Sequence, residues 1–545
     1  MNRPEKKRTT SPRKDTYTII TLLTVIGVLI FRIPLAHLIG DKGVACFGTA
    51  NEIYFVIAGT AAFGLSEAVT VLVKYRVKRE QFKSARRVLN GALVTGGVIG
   101  LIFSAFFGAA GHFAAEKIMH MPLAGLAVTL MAPAMFFFIL TSVFRGYFQG
   151  NGSRIPSMHS QILHLIFLFA GGLIGAVLLR GYGTKVSALL QNEDYTSAYG
   201  AMGASIGFLS ASVLCFLHVL ILYLIYKSSL KKQMSRETQK SQDTGFHIVH
   251  MLLGTGAVYS LYFFCFNGLP LIDQYLVFLF GASENSTVSA WGAYYGKCLV
   301  LTGVIGSLIH ISCLGSVRRM TGFMDRQEHR AARERLGILI HQCAAAVIPA
   351  AVFLAVLSEN TLDLLYPAVD GQTVIWVQLS SIVLVFFAFT TVFMEILIKN
   401  RKMKYVVLTG TGAVILHTGI LLLLLKITKL GITAVIISNI LFYALTAAMG
   451  FLLISRFFQY RQEWVKSFAV TIVASAIAGV IAMLLNKVFA PMVGMTISLL
   501  ICLLAAIAVY MVLLVVTRAF KKEELEEMPG GRILILLGGL LRISL

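Results

Sequence analysis

The sequence predicts an all-α membrane protein with fourteen transmembrane helices. The first observation behind this prediction is composition, because 57% of the 545 residues are hydrophobic and only 13% are charged. The second is that apolar runs of about 20 residues, the length that spans a bilayer as a helix, recur along the whole chain. The third is that charged residues gather in the short segments between these runs, as they do in the loops of polytopic membrane proteins.

The predicted spans divide into six before and eight after a polar connector, and the two halves look related. Residues 141–145, Thr-Ser-Val-Phe-Arg, end the fourth span, and residues 390–394, Thr-Thr-Val-Phe-Met, end the tenth. This order fits a six-plus-six repeat. In transporters built from such repeats, the substrate site lies between the two halves.

The predicted spans are 17–39, 44–73, 89–111, 121–144, 157–180, 200–226, 248–281, 289–315, 336–357, 370–398, 403–426, 430–454, 464–488 and 492–517. The predicted units are a cytoplasmic basic tail (1–15), a six-helix lobe (16–227), a cytoplasmic connector (228–247), a second six-helix lobe (248–456), two additional transmembrane helices (457–517) and a cytoplasmic tail with an interfacial helix (518–545).

The positive charge of the chain predicts its orientation. The net charge is +22, and with the N-terminus placed in the cytoplasm, 38 of the 47 Lys and Arg residues fall on the cytoplasmic side and 7 on the outer side. The positive-inside rule favours this arrangement, which puts both termini in the cytoplasm. Because the charge is spread over loops, we expect contact with anionic membrane lipids and no nucleic-acid partner. The seven cysteines are scattered and include no C-x-x-C pair, so neither a disulfide nor a metal site is predicted.

Few ionisable residues remain inside the predicted spans. Arg32 and Glu52 flank the first hairpin turn at similar depth, about 14–17 Å from it, and Asp273 and Lys297 flank the turn near residue 285 in the same way. A charge at the bilayer centre costs about 2.5–3.5 kcal/mol, so such residues usually face a partner or a cavity. Two interpretations stay open. In the first, the residues form structural ion pairs. In the second, Arg32 and Lys297 bind an anionic substrate in a central cavity, and Glu52 and Asp273 modulate or release these two cations.

Two more charged residues, Glu67 and Arg145, lie nearer the cytoplasmic ends of their spans. Glu67 is interpreted as a solvated or interfacial side chain, with a proton relay as the alternative. Arg145 is interpreted as an anchor of the topology, with contact to a substrate headgroup at the inner gate as the alternative. The isolated histidines of the spans favour hydrogen bonding over metal binding; they are His164, His218, His310 and His417.

Several stretches resemble one family of exporters. They are Phe-Arg-Ile-Pro-Leu-Ala at 31–36, Ser-Ala-Arg-Arg-Val-Leu at 84–89, Arg-Gly-Tyr-Phe-Gln-Gly at 145–150 followed by Pro156, Ile-Asp-Gln at 272–274, and the tail motifs at 523–525 and 528–531. In these stretches the chain is similar to the stage V sporulation protein B-like polysaccharide transporters. That family lies in the lipid II flippase-like branch of the multidrug/oligosaccharidyl-lipid/polysaccharide (MOP) exporter superfamily.

The resemblance implies two six-helix lobes around a central cavity, with two extra C-terminal helices whose groove holds a lipid tail. It implies a flippase that moves a polyprenyl-diphosphate-linked saccharide, a cell-wall or polysaccharide precursor, across the cytoplasmic membrane by alternating access. Such a protein breaks no bond, so we expect neither an enzyme nor a cofactor. The alternative is a cation-coupled exporter of small amphiphilic compounds, with Glu52 and Asp273 as ion sites. We expect a monomer, and the sequence identifies no coupling ion.

Overall fold

The computed structural model describes residues 16–235, 237, 244–280, 285–367, 369–462, 464–528, 530–541 and 543, which form helices and contain no strand. The basic tail predicted at 1–15 lies outside this part of the chain, as do residues 236 and 238–243 of the predicted connector. The α-helices of the described chain are α1 (Thr16–Glu52), α2 (Gly59–Val77), α3 (Phe82–Phe113), α4 (Gly125–Gly150), α5 (Ile155–Leu190), α6 (Asp194–Ser235), α7 (Gly245–Asn267), α8 (Leu269–Phe280), α9 (Asn285–Ala293), α10 (Leu299–Asp325), α11 (His329–Val356), α12 (Ser358–Leu365), α13 (Gly371–Lys399), α14 (Met403–Ile427), α15 (Ile432–Phe458), α16 (Val470–Val493), α17 (Met495–Val516), α18 (Lys522–Glu527) and α19 (Gly531–Leu540).

Thirteen helical segments of the described chain are long and apolar enough to cross a membrane. The first, Thr18–Val77, has 60 residues and is too long for one crossing. It reverses at Gly40, whose φ of 67° is a backbone conformation that glycine adopts readily. Arg32 and Asn51 flank this glycine, yet both hydrogen-bond the hydroxyl of Tyr295, whereas a straight helix would hold them about 28 Å apart. The described part of the chain therefore contains fourteen helical segments suited to crossing a membrane, as predicted.

Two predicted boundaries were wrong. The outer loop predicted between residues 180 and 199 is mostly helix, because α5 continues to Leu190 and α6 begins at Asp194. Packing extends both helices, since the rings of Tyr182 and Tyr199 lie 5.4 Å apart across them. The seventh span is not one helix but breaks between α7 and α8, where Pro270 lacks the amide hydrogen that a continuous helix would need.

The N-terminal lobe is held together by close helix packing. Glycines bring α5 and α6 together, because a Cβ atom at Gly203 of α6 would overlap the carbonyl oxygen of Gly175 of α5. In the bilayer, small residues at helix interfaces allow this approach, and dispersion contacts stabilise it. The lobe that begins with α7 contacts this first lobe along α2 and α7, where Gly64 and Gly256 lie against each other.

The two lobes are also sealed together at the end of the molecule that carries the Gly40 turn. There the start of the second span packs against the eighth span, in which α9 leads through a π-helical turn into α10. A Cβ atom at Gly292 would overlap the backbone of Asp41, and one at Gly296 would lie 2.7 Å from Cγ1 of Val44. These glycines let the backbones approach closely, so this end is closed.

The last two spans, α16 and α17, pack on each other and on α11 of the second lobe. The chain then folds back through α18 and α19, which contact each other and α17. Helix α19 falls within the predicted interfacial helix and exposes Ile533, Leu536 and Leu540. Its position on a membrane surface remains a prediction.

Candidate functional site

A pocket of about 340 Å³ lies between the two lobes, and we call it the central pocket. Arg32 and Glu52 line it from the first lobe, and Pro270 and Tyr295 line it from the second. From these four residues the pocket extends away from the Gly40 turn, toward the N-terminal end of the first span. The complete lining is Val25, Val28, Arg32, Glu52, Pro270, Tyr295, Leu299, Val300, Gly303, Val304 and Ser307.

The hydroxyl of Tyr295 joins the polar groups at the closed end of the central pocket. It donates a hydrogen bond to Oε1 of Glu52 at 2.7 Å and accepts one from Nδ2 of Asn51 at 2.9 Å. It also accepts a hydrogen bond from Nη2 of Arg32 at 3.2 Å. The predicted pair of Arg32 and Glu52 is therefore not a direct ion pair inside one lobe. Its members meet through a tyrosine of the other lobe, so this cluster couples the lobes.

The guanidinium group of Arg32 is held by two aromatic rings and keeps a free donor. Its central carbon lies 4.8 Å from the ring centre of Phe47 and 5.1 Å from that of Tyr295. Such cation–π contacts fix the plane of the group and lower the cost of keeping its charge at this depth. Its Nη1 atom is buried and has no hydrogen-bond partner among the described residues. A buried guanidinium nitrogen without an acceptor is costly, and an anion in the pocket would supply one.

Lys297 has a different partner from the one predicted. It is 2% exposed and forms an ion pair with Asp41, with Nζ and Oδ2 3.0 Å apart. The predicted pairing with Asp273 was wrong because equal depth along two spans does not fix which way each side chain points. The π-helical turn Tyr294–Cys298 adds a residue to one turn of the span, which changes the direction in which the following side chains point. In this structure Lys297 therefore ties the eighth span to the second at the closed end.

Asp273 is buried inside the second lobe. Its Oδ1 atom lies 2.7 Å from Nε2 of His417, and its Oδ2 atom accepts a hydrogen bond from Nδ2 of Asn439 at 2.9 Å. The same amide group donates to the hydroxyl of Tyr294 at 3.3 Å. His417 thus makes hydrogen bonds, as the sequence predicts. Neither Asp273 nor His417 lines the central pocket.

The remaining predicted site residues lie away from the Arg32 cluster. Arg145 lies inside the first lobe, where its Nε atom donates to Oγ of Ser160 at 2.7 Å. Glu67 lies at the interface of the lobes on the side away from the Gly40 turn, within electrostatic range of Lys399. Lys399 pairs at 3.2 Å with Glu395 of its own helix. Neither Arg145 nor Glu67 contributes to the central pocket lining.

Sequence reasoning missed the uncharged polar residues that complete these clusters. Tyr294, Tyr295, Asn51 and Asn439 carry no charge, so a search for ionisable residues inside spans passes over them. One signal in the sequence could have indicated them. The stretch Tyr-Tyr-Gly-Lys at 294–297 places three polar side chains and a glycine together within an apolar span. Such a stretch interrupts an apolar helix and coincides with the π-helical turn.

The structure thus defines a membrane protein of two helical lobes, with a largely apolar pocket between them that carries Arg32 and Glu52 at its closed end. Comparison with known proteins finds similar chains and similar folds. Residues 18–178 match the MatE family model. Stage V sporulation protein B of Bacillus subtilis (strain 168) is 22% identical over 534 residues, covering 96% of this chain and 98% of that protein. Lipid II flippase MurJ of the same strain is 20% identical over 501 residues, covering 85% of this chain and 86% of that protein.

Solved structures show the same fold. The inward closed conformation of lipid II flippase MurJ has a TM-score of 0.66 at 15% identity and covers 92% of this chain and 98% of that chain. An inward-facing multidrug resistance MATE family transporter of the MOP superfamily has a TM-score of 0.65 at 14% identity, covering 81% of this chain and 98% of that chain. The resemblance predicted from the sequence is confirmed, as is the prediction of a two-lobed polytopic helical fold.

Proposed function

We propose that this protein is a flippase that moves a polyprenyl-diphosphate-linked saccharide outward across the cytoplasmic membrane by alternating access. The similarity to stage V sporulation protein B extends over nearly the whole of both chains, and the second curated relative is named a lipid II flippase. The saccharide is a cell-wall or polysaccharide precursor. The protein breaks no bond, needs no cofactor and acts as a monomer, with both termini in the cytoplasm as its charge distribution favours.

The observation that carries this proposal is the unpartnered Nη1 atom of Arg32 in a pocket between the lobes. A diphosphate would place phosphate oxygens against this donor, and guanidinium binds phosphate through paired hydrogen bonds. The apolar residues that line the pocket toward the N-terminal side, such as Val25 and Leu299, suit the start of a polyprenyl chain. The pocket therefore combines one cation, Arg32, with apolar walls.

The ion pair of Asp41 and Lys297 acts as the outer gate in this proposal. With the N-terminus in the cytoplasm, the closed Gly40 end faces outward, and the central pocket extends toward the cytoplasm. Opening of the outer end separates Asp41 from Lys297, and the released ammonium group then meets the diphosphate that Arg32 has carried. The membrane potential favours outward movement of a dianion by about 2.3 kcal/mol per charge per 100 mV.

Closure of the cytoplasmic end needs a second contact between the lobes. Glu67 and Lys399 come from opposite lobes at this end and lie within electrostatic range of each other. We assign them to an inner gate, in which Lys399 exchanges Glu395 for Glu67 when the lobes approach. We assign Arg145 a structural role. It holds α4 against α5, since its Nε atom donates a hydrogen bond to Oγ of Ser160.

A second candidate function is a cation-coupled exporter of small amphiphilic compounds. The observation that favours it is the buried pair of Asp273 and His417, which offers a proton site remote from the pocket. Charge reversal of Arg32 separates the two functions. A flippase that binds a diphosphate loses transport, whereas an exporter driven through Asp273 keeps it.

The direct test is outward flipping of a lipid-linked saccharide by proteoliposomes. Arg32→Ala is expected to insert, purify and lose flipping, because no other cation lines the pocket among the described residues. Arg180→Ala is the matched control, since that arginine is exposed and does not line the central pocket. Wild-type flipping by well-purified Arg32→Ala would remove the proposed role of Arg32.

A further inference from the structure

Another cavity opens in the second lobe, at the same end of the molecule as the Gly40 turn. Its volume is about 560 Å³, and we call it the outer cavity. Three segments meet there: the start of α9, the start of α13 and residues 428–432, which join α14 to α15. Helix α9 also carries Gly292, which lies against Asp41. With the N-terminus in the cytoplasm, the outer cavity therefore faces the outer side of the membrane.

The outer cavity presents polar side chains that are not engaged elsewhere. Thr287, Gln372 and Lys429 line it, and none of these three side chains makes a hydrogen bond or an ion pair within the described chain. The hydroxyl of Thr428 donates to the carbonyl oxygen of Leu424 at 2.6 Å, and its oxygen can still accept. The described lining contains no acid, and its one cation is Lys429.

Aromatic side chains supply much of the apolar wall of the outer cavity. The side chain of Phe280 is 38% exposed, and Nζ of Lys426 lies 5.6 Å from the centre of its ring. The indole nitrogen of Trp376 donates to Oγ1 of Thr433 at 3.2 Å, which fixes the indole ring in the wall. The cavity thus places apolar ring surface next to neutral hydrogen-bonding groups, as ligand pockets commonly do.

This combination of groups fits a sugar. A sugar ring presents C–H groups on its faces and hydroxyl groups around its edge, so it uses apolar surface and neutral hydrogen-bond partners together. A purely apolar ligand would leave Gln372 and Thr287 without partners. A cluster of phosphates would need more than the single cation Lys429, and a divalent metal ion would need acidic ligands that the described lining lacks.

The outer cavity also lies within reach of the proposed outer gate. Helix α9 leads through the π-helical turn to Lys297. Ala290 and Thr287, which line the cavity, precede Lys297 by seven and ten residues, which is about 10 and 15 Å along a helix. When Lys297 meets the diphosphate in the proposed outward step, the first sugars attached to that diphosphate come level with the outer cavity.

We propose that the outer cavity binds the saccharide of the lipid-linked substrate after the outer end opens. Gln372, Thr287 and Lys429 hold its hydroxyl and amide groups, and Phe280 packs against the face of a sugar ring. The inference rests on the proposed flippase function for the identity of the substrate. It adds a saccharide site in the second lobe that is separate from the central pocket.

Two measurements on the purified full-length protein test the proposal. The first is calorimetric titration with N,N′-diacetylchitobiose, a soluble disaccharide whose acetamido groups can pair with the amide group of Gln372. The wild-type protein is expected to bind it. The second is the flipping rate, in proteoliposomes, of a polyprenyl diphosphate that carries N-acetylglucosamine, compared with the same polyprenyl diphosphate without the sugar.

Three variants decide whether the outer cavity is responsible. Q372A/K429Q removes two polar groups of the cavity and should weaken disaccharide binding about tenfold or more. It should also slow flipping of the glycosylated lipid and leave flipping of the bare lipid unchanged. Q191A/K487Q removes an exposed glutamine and an exposed lysine outside the cavity and should behave as the wild type. Ala290→Leu fills part of the cavity without changing its charge and should also weaken disaccharide binding.

The outcomes separate this inference from the proposed function. A wild-type protein that flips neither lipid would contradict the flippase function, whereas the calorimetry would still report on the outer cavity. Absence of disaccharide binding by the wild type would overturn the inference, as would equal binding by Q372A/K429Q and Q191A/K487Q. Equal slowing of both lipids by Q372A/K429Q would also overturn it, because the effect would then not depend on the saccharide.

Discussion

The ion pair of Asp41 and Lys297 should control how often the outer end opens. Asp41→Asn removes the carboxylate and leaves Lys297, whose side chain is 3% exposed, without its partner. Breaking a buried ion pair costs about 3–5 kcal/mol, but the side chain of Asp41 is 33% exposed, so we expect about 2 kcal/mol. In the proposed outer gate, this bond forms only in the closed state. A loss of about 2 kcal/mol therefore shifts the equilibrium toward the open state about 30-fold.

The assay is labelling of a single reporter cysteine by a membrane-impermeant maleimide. Val44→Cys provides the reporter, because Val44 is 3% exposed and packs against Gly296 in the closed state. The seven native cysteines are buried, so background labelling should be low. With Asp41→Asn in place, the reporter should label up to about 30-fold faster.

A neighbouring ion pair provides the matched control. Lys42→Gln breaks the pair with Asp194, whose charged atoms lie 2.6 Å apart within the first lobe. Because that pair does not cross between the lobes, labelling of the reporter should stay slow. The exchange D41K/K297D should restore slow labelling by reversing the pair. Equal labelling in Asp41→Asn and Lys42→Gln would refute the assignment of an outer gate.

Three further variants test the contacts between the lobes and the position of Asp273 outside the central pocket. Tyr295→Phe removes the hydroxyl that joins the lobes and should lower the free energy of unfolding by about 2–3 kcal/mol, measured by urea or thermal unfolding in detergent. Gly292→Val places a side chain against the backbone of Asp41 and should hold the outer end open, which fast labelling of Val44→Cys would reveal. Asp273→Asn should leave binding of a diphosphate lipid unchanged in a pull-down assay, because Asp273 lies outside the central pocket.

Each of these variants has a contradicting outcome. Unchanged stability of Tyr295→Phe would show that the hydroxyl network contributes nothing to the contact between the lobes. Slow labelling in the Gly292→Val background would show that the outer end closes without close backbone approach. Loss of lipid binding in Asp273→Asn would place that carboxylate in the substrate site.

The number and order of the spans could be predicted because two independent signals agree on them. Apolar length marks each crossing, and the alternation of loop charge fixes the count, since one lost span would invert every later loop. The first hairpin was also predicted, although the chain reverses direction at the single residue Gly40 and not through a loop. Helix ends were harder, because packing between α5 and α6 extends both helices well past their apolar stretches.

The site could be predicted only in part, and the reason is geometric. Sequence spacing gives the depth of a residue, so it correctly brought Arg32 and Glu52 to the same level. It does not give the direction of a side chain around the helix axis. For that reason it paired Lys297 with Asp273, whereas the structure pairs Lys297 with Asp41. Tyr295, which connects the cluster, carries no charge and was not considered.

The central claim is that Arg32 receives the phosphate of a lipid-linked substrate between the two lobes. The measurement that tests it most directly is identification, by native mass spectrometry, of the lipid that stays bound to the purified protein. We predict a polyprenyl-diphosphate saccharide on the wild-type protein and its loss from Arg32→Ala, with Arg180→Ala unchanged. Retention of the same lipid by Arg32→Ala, or a bound substrate that carries no phosphate, would contradict the claim.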